Sequence, residues 1–222
     1  MNKANTNYNE ISIFRGMTDT EISECMEYLD SKTKRYKKGS IILHAGDTTS
    51  NLGIVLDGSV TIESNDAWGN CTILSHVSLN GIFAETYALI KDEILLVDVR
   101  ANENAEILFL NMSKIRENEI SSPWNQKLLR NLLFISSNKN LTLSGRSFHT
   151  SPRTIRGKLL SYLNSISLKK HSREFDIPFD RQQLADYLNV DRTALSKELG
   201  KMKNENLIDY HKNHFIVHSE IS

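Results

Sequence analysis

The segment at residues 180–208, with the sequence DRQQLADYLNVDRTALSKELGKMKNENLI, limits the possible folds of this chain more than any other. It contains two short runs in which apolar residues recur at helical spacing. Each run follows an aspartate, Asp180 or Asp191, that can act as an N-cap by accepting a hydrogen bond from a free backbone N–H group. Between the runs, Asn189 stands where helices commonly end in the left-handed conformation, which asparagine tolerates. The segment therefore predicts two helices joined by a tight turn.

The second of these helices carries polar side chains on the face opposite its apolar residues. The residues predicted on this outer face are Arg192, Thr193, Ser196 and Lys197. Such side chains at a helix N-terminus can reach base edges and phosphates in the major groove of DNA. The alternative interpretation is a solvated face on a small helical domain. Residues 207–217 predict a β-hairpin, and a hairpin behind a recognition helix makes a winged helix.

Charge is divided unevenly along the chain, although its formal net charge is zero. Residues 146–222 contain 13 Lys and Arg against 9 Asp and Glu, a net charge of +4, which leaves −4 for residues 1–145. A basic C-terminal third attracts a partner rich in phosphate. We therefore expect double-stranded DNA as the partner, bound with an affinity that weakens as salt rises.

Residues 35–112 predict an antiparallel β-roll because short β-rich runs alternate with glycines and polar turns. The predicted strands lie at residues 40–44, 53–56, 60–63, 72–77, 94–99 and 106–110. Before them, residues 20–29 have apolar side chains at helical spacing, which predicts a short amphipathic helix packed on the roll. The fold class is therefore α+β.

A long helix is predicted after the roll, with Ser122 as N-cap and Pro123 at the first helical position. It carries more apolar surface than one contact needs, so one side is expected to face the roll and the other a second copy of the chain. The predicted dimer interface consists of Trp124, Leu128, Leu132 and Ile135. The alternative is a helix buried wholly within its own domain. A dimer is favoured because one helix-turn-helix reads few bases and two-fold symmetry doubles the site.

The order of these parts, a β-roll, a long helix and a winged helix, resembles the Crp/Fnr family of bacterial transcription regulators. The resemblance covers residues 14–217 and is most specific in RQQLADYLNVDRTALSKEL at residues 181–199. In the roll, HAGD, VLDGSV and GIFAE stand in the order that the family shows, at residues 44–47, 55–60 and 81–85. The tract RTIRGKLLSYL is similar to the helix that opens the family's DNA-binding domain, and its expected core residues are Leu159, Leu160 and Leu163.

The resemblance implies three parts with different tasks. Residues 1–120 would form a cyclic-nucleotide-binding-like sensor roll of the cupin-like jelly-roll type. Residues 121–147 would form the dimerisation helix, and residues 148–222 the winged helix-turn-helix. Such a chain would be a homodimeric, sequence-specific transcription regulator that reads a palindromic operator. RNA polymerase would be a further partner if the protein activates transcription, and an unidentified small molecule a possible effector.

By the same resemblance, Arg192, Thr193 and Lys197 occupy the family's base-reading and phosphate-contacting positions, with Ser196 between them. Arg181 and Gln182, at the start of the preceding helix, are further candidate DNA contacts. Thr193 replaces the glutamate of many members, so the operators of familiar relatives do not transfer to this chain.

Glu198 is a second departure from the family's pattern, because many members have an apolar residue there. Its carboxylate could pair with Lys201 or with Arg192. Alternatively, it simply lies at the edge of the domain.

In nucleotide-binding relatives a glutamate takes the ribose hydroxyl, and an arginine and a serine or threonine hold the cyclic phosphate. Glu85 matches the glutamate, whereas Leu95 and Leu96 fall at the phosphate-binding positions. A buried phosphate loses its hydration, and without a cation or hydrogen-bond donors nothing compensates for this loss. Cyclic AMP is therefore not expected to bind. Glu85 is then expected to be structural. The residues expected around any effector pocket are Gly81, Phe83, Ala84, Glu85, Leu95 and Leu96.

Other sensing or catalytic chemistry finds little support in the sequence. An iron–sulfur cluster needs about four ligands, and the chain has two cysteines. Haem bound through His44 or His76, a cupin-like metal enzyme, and a module used only for protein contacts are alternatives. We expect no catalytic residues, no metal site and no cofactor. The two cysteines and the lack of a secretory or membrane-spanning apolar run favour the cytoplasm.

Overall fold

The computed structural model describes residues 7–65, 71–117 and 121–218. The helices, in chain order, are α1 (Asp19–Tyr28), α2 (Glu85–Leu89), α3 (Ser113–Glu117), α4 (Pro123–Thr150), α5 (Ile155–Lys170), α6 (Arg181–Leu188) and α7 (Arg192–Asn204). The strands are β1 (Lys32–Tyr36), β2 (Ile41–Leu43), β3 (Asn51–Asp57), β4 (Val60–Asn65), β5 (Cys71–Val77), β6 (Ile82–Phe83), β7 (Asp98–Ala101), β8 (Ala105–Asn111), β9 (Glu174–Asp176), β10 (Ile208–His211) and β11 (His214–Val217). The chain divides into two units, Met1–Ser137 and Asn138–Ser222, so the border lies within α4.

The first unit is a roll of two antiparallel sheets, with strand orders β1-β8-β3-β6 and β2-β7-β4-β5. Side chains alternate between the two faces of a strand. Val55 and Ile107 of the first sheet therefore meet Val60 and Val99 of the second in an apolar core. The opposite face of the first sheet packs against α1 and the start of α4. These features confirm the predicted roll and its amphipathic helix.

Two details of the strand prediction were wrong. The run at residues 94–99 is a strand only from Asp98, because Leu95 donates its N–H to the Asp47 carbonyl and its own carbonyl accepts from Gly46, outside a ladder. The first strand, β1, was missed because its exposed sequence KTKRY lacks the apolar alternation of a half-buried strand. It is an edge strand of its sheet, where charged side chains discourage pairing with other chains.

The second unit packs α5, α6 and α7 against a small antiparallel sheet of order β10-β11-β9. The predicted hairpin is confirmed, with Tyr210 opposite Phe215, while the third strand, β9, was not predicted. Leu159 and Leu163 are fully buried as predicted, and Leu160 is partly buried beside them. Across the ranges that the structure describes, none of the helices has the length and hydropathy needed to cross a membrane.

Candidate nucleic-acid interface and sensor site

Side-chain caps fix the turn between α6 and α7. Asp180 Oδ1 accepts from the backbone N–H of Gln183 at 2.8 Å, and Gln183 Oε1 accepts in return from the N–H of Asp180 at 2.9 Å. Asn189 ends α6 in the left-handed conformation, at φ 52° and ψ 61°. Asp191 Oδ1 then accepts from the N–H of Ala194 at 2.8 Å, so that α7 begins at Arg192. The predicted caps are confirmed.

The N-terminal turns of α7 have an apolar inner face and a polar outer face. Leu195, Leu199 and Met202 are fully buried. The four side chains of the outer face, Arg192, Thr193, Ser196 and Lys197, are all exposed. The Ser196 hydroxyl donates to the Arg192 carbonyl at 2.9 Å, so its oxygen is left mainly as an acceptor. Two cations and two hydroxyls at a helix N-terminus suit contacts with phosphates and base edges.

Arg181 and Gln182 have different surroundings from these four residues. The Arg181 guanidinium lies 5.1 Å from the Tyr210 ring centre and donates to the Lys212 carbonyl at 3.4 Å. Burial lowers the pKa of this guanidinium. Arg181 therefore joins α6 to the hairpin rather than extending into solvent. Gln182 is exposed, and its amide donates to Asp186 Oδ1 at 2.8 Å.

Glu198 pairs with a residue that sequence reasoning did not consider. Arg156 of α5 donates from Nε to Glu198 Oε1 at 2.6 Å and, with its two terminal nitrogens, to Glu205 at 2.7 and 2.9 Å. Hydrogen bonds to Glu205 and Glu198 raise the pKa of Arg156, and the arginine lowers the pKa of Glu205. Lys201 is farther from Glu198, at 3.9 Å. The arrangement ties α7 to α5.

Lys158, one turn beyond Thr154 in α5, also supports the turn. Its Nζ donates to the carbonyls of Leu188 and Asn189 at 3.1 and 3.3 Å, where α6 ends and its carbonyls lack helical partners. Sequence reasoning missed this contact. It could have been found only by knowing which helix packs beside the turn, and the sequence alone does not show that.

The last turn of α4 joins the second unit through an aromatic cluster. His149 is 6% exposed, and its Nδ1 shares a hydrogen bond of 2.8 Å with the Tyr187 hydroxyl of α6. Its ring also meets Tyr162 of α5 edge-on, at 5.3 Å between ring centres. Burial, with a smaller effect of Lys169, lowers the pKa of His149. The imidazole is therefore held in its neutral form inside this cluster.

The structure buries most of the residues predicted for the dimer interface within the first unit. Trp124, Leu128 and Leu132 are 4%, 0% and 3% exposed and lie in the core beneath the first sheet, with Ile135 packed at its margin. Side chains that their own subunit already covers have no surface left for a second subunit. The other side of α4 exposes apolar residues instead, and these are Leu129, Leu133, Phe134, Leu141, Leu143 and Phe148.

The residues expected around an effector pocket do not share one environment. Ala84 has a left-handed backbone (φ 59°) and precedes α2, in whose first turn Glu85 is 5% exposed. Phe83 is fully buried, and a side chain at Gly53 would collide with its ring. Leu95 is 1% exposed, whereas Leu96 is 71% exposed. Neither leucine offers a charge or a side-chain donor to a phosphate.

His44 and His76, the candidate haem ligands, are both exposed. The Nδ1 atom of His76 lies 3.2 Å from the side-chain amide of Asn102. In the part of the chain that the structure describes, no three histidine, cysteine, aspartate or glutamate side chains come together as metal ligands.

Comparisons with known proteins match both parts of the chain. The family model of the cyclic nucleotide-binding domain matches residues 33–117, and that of the Crp-like helix-turn-helix domain matches residues 157–220. The cAMP-activated global transcriptional regulator CRP of Pasteurella multocida is 22% identical over 189 residues, which cover 83% of this chain and 88% of that protein. The protein of the same description from Haemophilus influenzae is 21% identical and covers 83% of each chain.

Solved structures share the fold at lower identity. CprK complexed with OCPA has a TM-score of 0.63 at 13% identity, covering 90% of this chain and 91% of that one. The c-di-GMP responsive global regulator CLP of Xanthomonas campestris has a TM-score of 0.56 at 15% identity, with 91% and 100% covered. Likeness at such identity establishes the architecture.

Proposed function

Because this chain belongs to the Crp/Fnr family of DNA-binding transcription regulators, we propose that it acts as a homodimer whose two recognition helices read a palindromic operator. Like its relatives, it is a regulator with a sensor domain and not an enzyme. In functional terms we assign sensing to residues 1–120, dimerisation to residues 121–147 and DNA reading to residues 148–222. We further propose that the protein works in the cytoplasm and contacts RNA polymerase if it activates transcription.

The outer face of α7 is the observation that carries this proposal. Arg192, Thr193, Ser196 and Lys197 are exposed together at the capped N-terminus of a helix whose other face is buried. Arg192 supplies a planar donor fork for a base edge, and Lys197 a point charge for phosphate. Gln182 is a further candidate contact at the start of α6, whereas Arg181 would act mainly by holding the hairpin in position.

The dimer is supported by the apolar residues that α4 exposes. Phe134, Leu141 and Phe148 are 61%, 71% and 73% exposed and recur every seventh residue. This spacing is typical of helices that pair in a coiled coil. Ser137 and Ser144 stand between them, and small side chains let two helices approach closely. We therefore propose this face, in place of Trp124 and Leu128, as the contact between subunits.

A signal in the roll would act through α4, because this helix belongs to both units. We propose that the signal changes the packing of α4 against its twin and thereby the distance between the two recognition helices. The signal is not a cyclic nucleotide, since Leu95 and Leu96 supply no group for its phosphate. Adding cyclic AMP should therefore leave operator affinity unchanged. Equal helix distances in effector-free and effector-bound dimers would contradict the coupling.

Selection of bound duplexes from a random library by the full-length protein tests the function directly. We expect two inverted half-sites whose centres lie about 34 Å apart, one helical turn of DNA. Affinity for the selected duplex should fall steeply with salt. The Arg192→Ala/Lys197→Ala variant, with its fold checked by circular dichroism, is the control and should select no motif. Failure of the parent protein to bind any duplex at low salt would refute the proposal.

A further inference from the structure

A cavity of about 320 Å³ opens at one end of the roll, between the sheet that contains β1 and β8 and the strand β2 of the other sheet. It lies among residues other than Gly81–Glu85, Leu95 and Leu96, where the family resemblance places an effector. Its volume is at the lower end of the range for small-molecule sites, which suits a ligand of one or two rings.

The floor of the cavity contains four apolar and aromatic side chains, within a lining that is mostly polar. Tyr36 of β1 and Phe109 of β8 meet edge-to-face at 6.4 Å between ring centres, and Ile42 and Leu43 of β2 close the other side. All four also contact the core between the two sheets, so strands of both sheets hold this floor in place. Burial raises the pKa of the Tyr36 phenol, which therefore stays neutral and does not repel an anion.

The rim of the cavity is cationic. Lys32 and Lys34 point to the same face of β1 as Tyr36, and Lys34 Nζ lies 5.9 Å from the centre of the Phe109 ring. The lining also contains the carboxylate of Asp30, which is paired with Lys114 at 2.8 Å. That pairing offsets the negative charge, so the two lysines determine the charge that the cavity presents.

A polar side chain adds a directional donor to this rim. Asn111 Oδ1 accepts from both the backbone N–H and the hydroxyl of Ser113, at 3.1 and 2.8 Å. Its Nδ2 group is therefore the part of the amide left to donate to a ligand. One amide donor beside two ammonium groups fits a carboxylate better than a neutral ligand.

We propose that this cavity, which we call the β1–β2 cavity, binds a small aromatic carboxylate, with its ring against Tyr36 and Phe109 and its carboxylate between Lys32 and Lys34. The ring would fill the apolar floor and displace water from it. The carboxylate would gain charge-assisted hydrogen bonds at the rim. A regulatory effect of this binding rests on the proposed function. The binding itself does not depend on that function.

Calorimetry on the full chain with 2-naphthoate as the probe tests the binding. We expect saturable binding with a Kd of about 1 mM or tighter, which is typical of a probe of this size. The neutral 2-naphthamide should bind at least about tenfold more weakly, because it lacks the charge. Inorganic phosphate alone should not bind measurably, because it lacks the ring. Equal binding of the amide, or of phosphate, would overturn the proposal.

Location is tested by methyl resonances and by a matched pair of variants. 2-Naphthoate should shift the methyl signals of Ile42 and Leu43 and leave those of Leu95 and Leu96 unchanged. The Lys32→Met/Lys34→Met variant should bind at least about tenfold more weakly, because it loses both ion pairs. The Lys37→Met/Lys38→Met variant loses the same charge outside the lining and should bind like the parent.

Three results would refute the assignment: no saturation, shifts at Leu95 and Leu96 instead, or equal affinity of both variants. Operator affinity without the probe is measured on the same samples and should be equal for the parent and both variants. A failure of probe binding is therefore distinguishable from a failure of the DNA-binding function.

Discussion

The winged helix and the roll both have the architecture of the family, but they differ in the side chains at the family's functional positions. In the winged helix, the positions proposed to contact DNA hold Arg192 and Lys197 on an exposed, capped helix. In the roll, the positions that would hold a nucleotide phosphate are Leu95, which is buried, and Leu96, which is exposed. Both parts have the expected architecture, yet only the first carries the matching chemistry. The match to the Crp-like helix-turn-helix family therefore supports DNA binding by this chain, whereas the shared fold of the roll does not identify its signal.

The largest expected effect concerns the roll and the helix that covers it. Leu128→Ala should lower the free energy of unfolding of the first unit by about 2 to 5 kcal/mol, because it leaves a cavity in a fully buried position. Urea unfolding followed by tryptophan fluorescence measures this unit, since Trp124 is buried in it and both tryptophans of the sequence precede residue 138. The dissociation constant of the proposed dimer, measured by sedimentation, should change less.

Leu133→Ser is the matched variant on the opposite side of α4. Leu133 is 66% exposed, so the substitution should change subunit stability by no more than about 0.5 kcal/mol. It should instead weaken the proposed dimer, because Leu133 is an exposed apolar residue of α4 next to Phe134 of the proposed contact face. If Leu128→Ala dissociates the dimer and Leu133→Ser does not, our correction of the interface is wrong.

Periodicity explains why the sequence predicted α4 but not the orientation of its faces. Leu128 and Leu132 form one apolar stripe, while Phe134 and Leu141 belong to another on a different side of the helix. Two stripes predict two contacts, but local spacing does not distinguish the stripe that meets the roll. That choice depends on the shape of a sheet face built from residues far away in the sequence.

In the winged helix, the largest expected effect comes from Arg192. Arg192→Ala should cost about 1 to 3 kcal/mol on the selected operator, and it should relax discrimination at one base pair. Fluorescence anisotropy against the operator and its single-base variants measures both effects. Lys201→Ala removes an exposed cation from a later turn of the same helix and should bind nearly like the parent. Equal affinity of the two variants would remove Arg192 from the base-reading positions.

Lys197 is expected to have a smaller effect that does not depend on sequence. Lys197→Ala should weaken binding to operator and random duplexes alike and reduce the slope of log affinity against log salt by about 1. Titrations at several salt concentrations give this slope, with Lys201→Ala again as the control. A loss confined to the operator, with the slope unchanged, would make Lys197 a base contact instead.

The sequence predicted the features of the site that depend on local signals. It did not predict those that depend on contacts between residues far apart in the chain. The caps at Asp180 and Asp191 and the exposed position of Arg192 depend on neighbours within one helical turn, and all were predicted. The pairing of Glu198 with Arg156 joins residues 42 positions apart, so no local pattern contained it. The cavity at Tyr36 was missed for the same reason, because its walls come from four separate strands, β1, β2, β3 and β8.

The smallest expected effect is a difference between two histidines of the second unit, whose contributions to stability depend on pH in opposite directions. Burial lowers the pKa of His149 below its ordinary value of 6.5, so its contribution to stability is present above pH 6.5 and is lost as pH falls toward the folded pKa. Asp176 and Glu174 raise the pKa of the partly exposed His214, so its contribution is present below pH 6.5 and is lost as pH rises through the folded pKa.

The two pH-dependent contributions to the free energy of unfolding can be separated by urea unfolding of the second unit. Circular dichroism follows the unfolding between about pH 5 and 8, where histidines titrate. His149→Phe should reduce the loss of stability on the acid side, and His214→Gln the loss on the alkaline side. The His214 effect should be the smaller, because water and salt screen an exposed pair. A His149→Phe variant that keeps the full acid-side slope would mean that another group causes the acid-side loss and that the imidazole is not held neutral between Tyr162 and Tyr187.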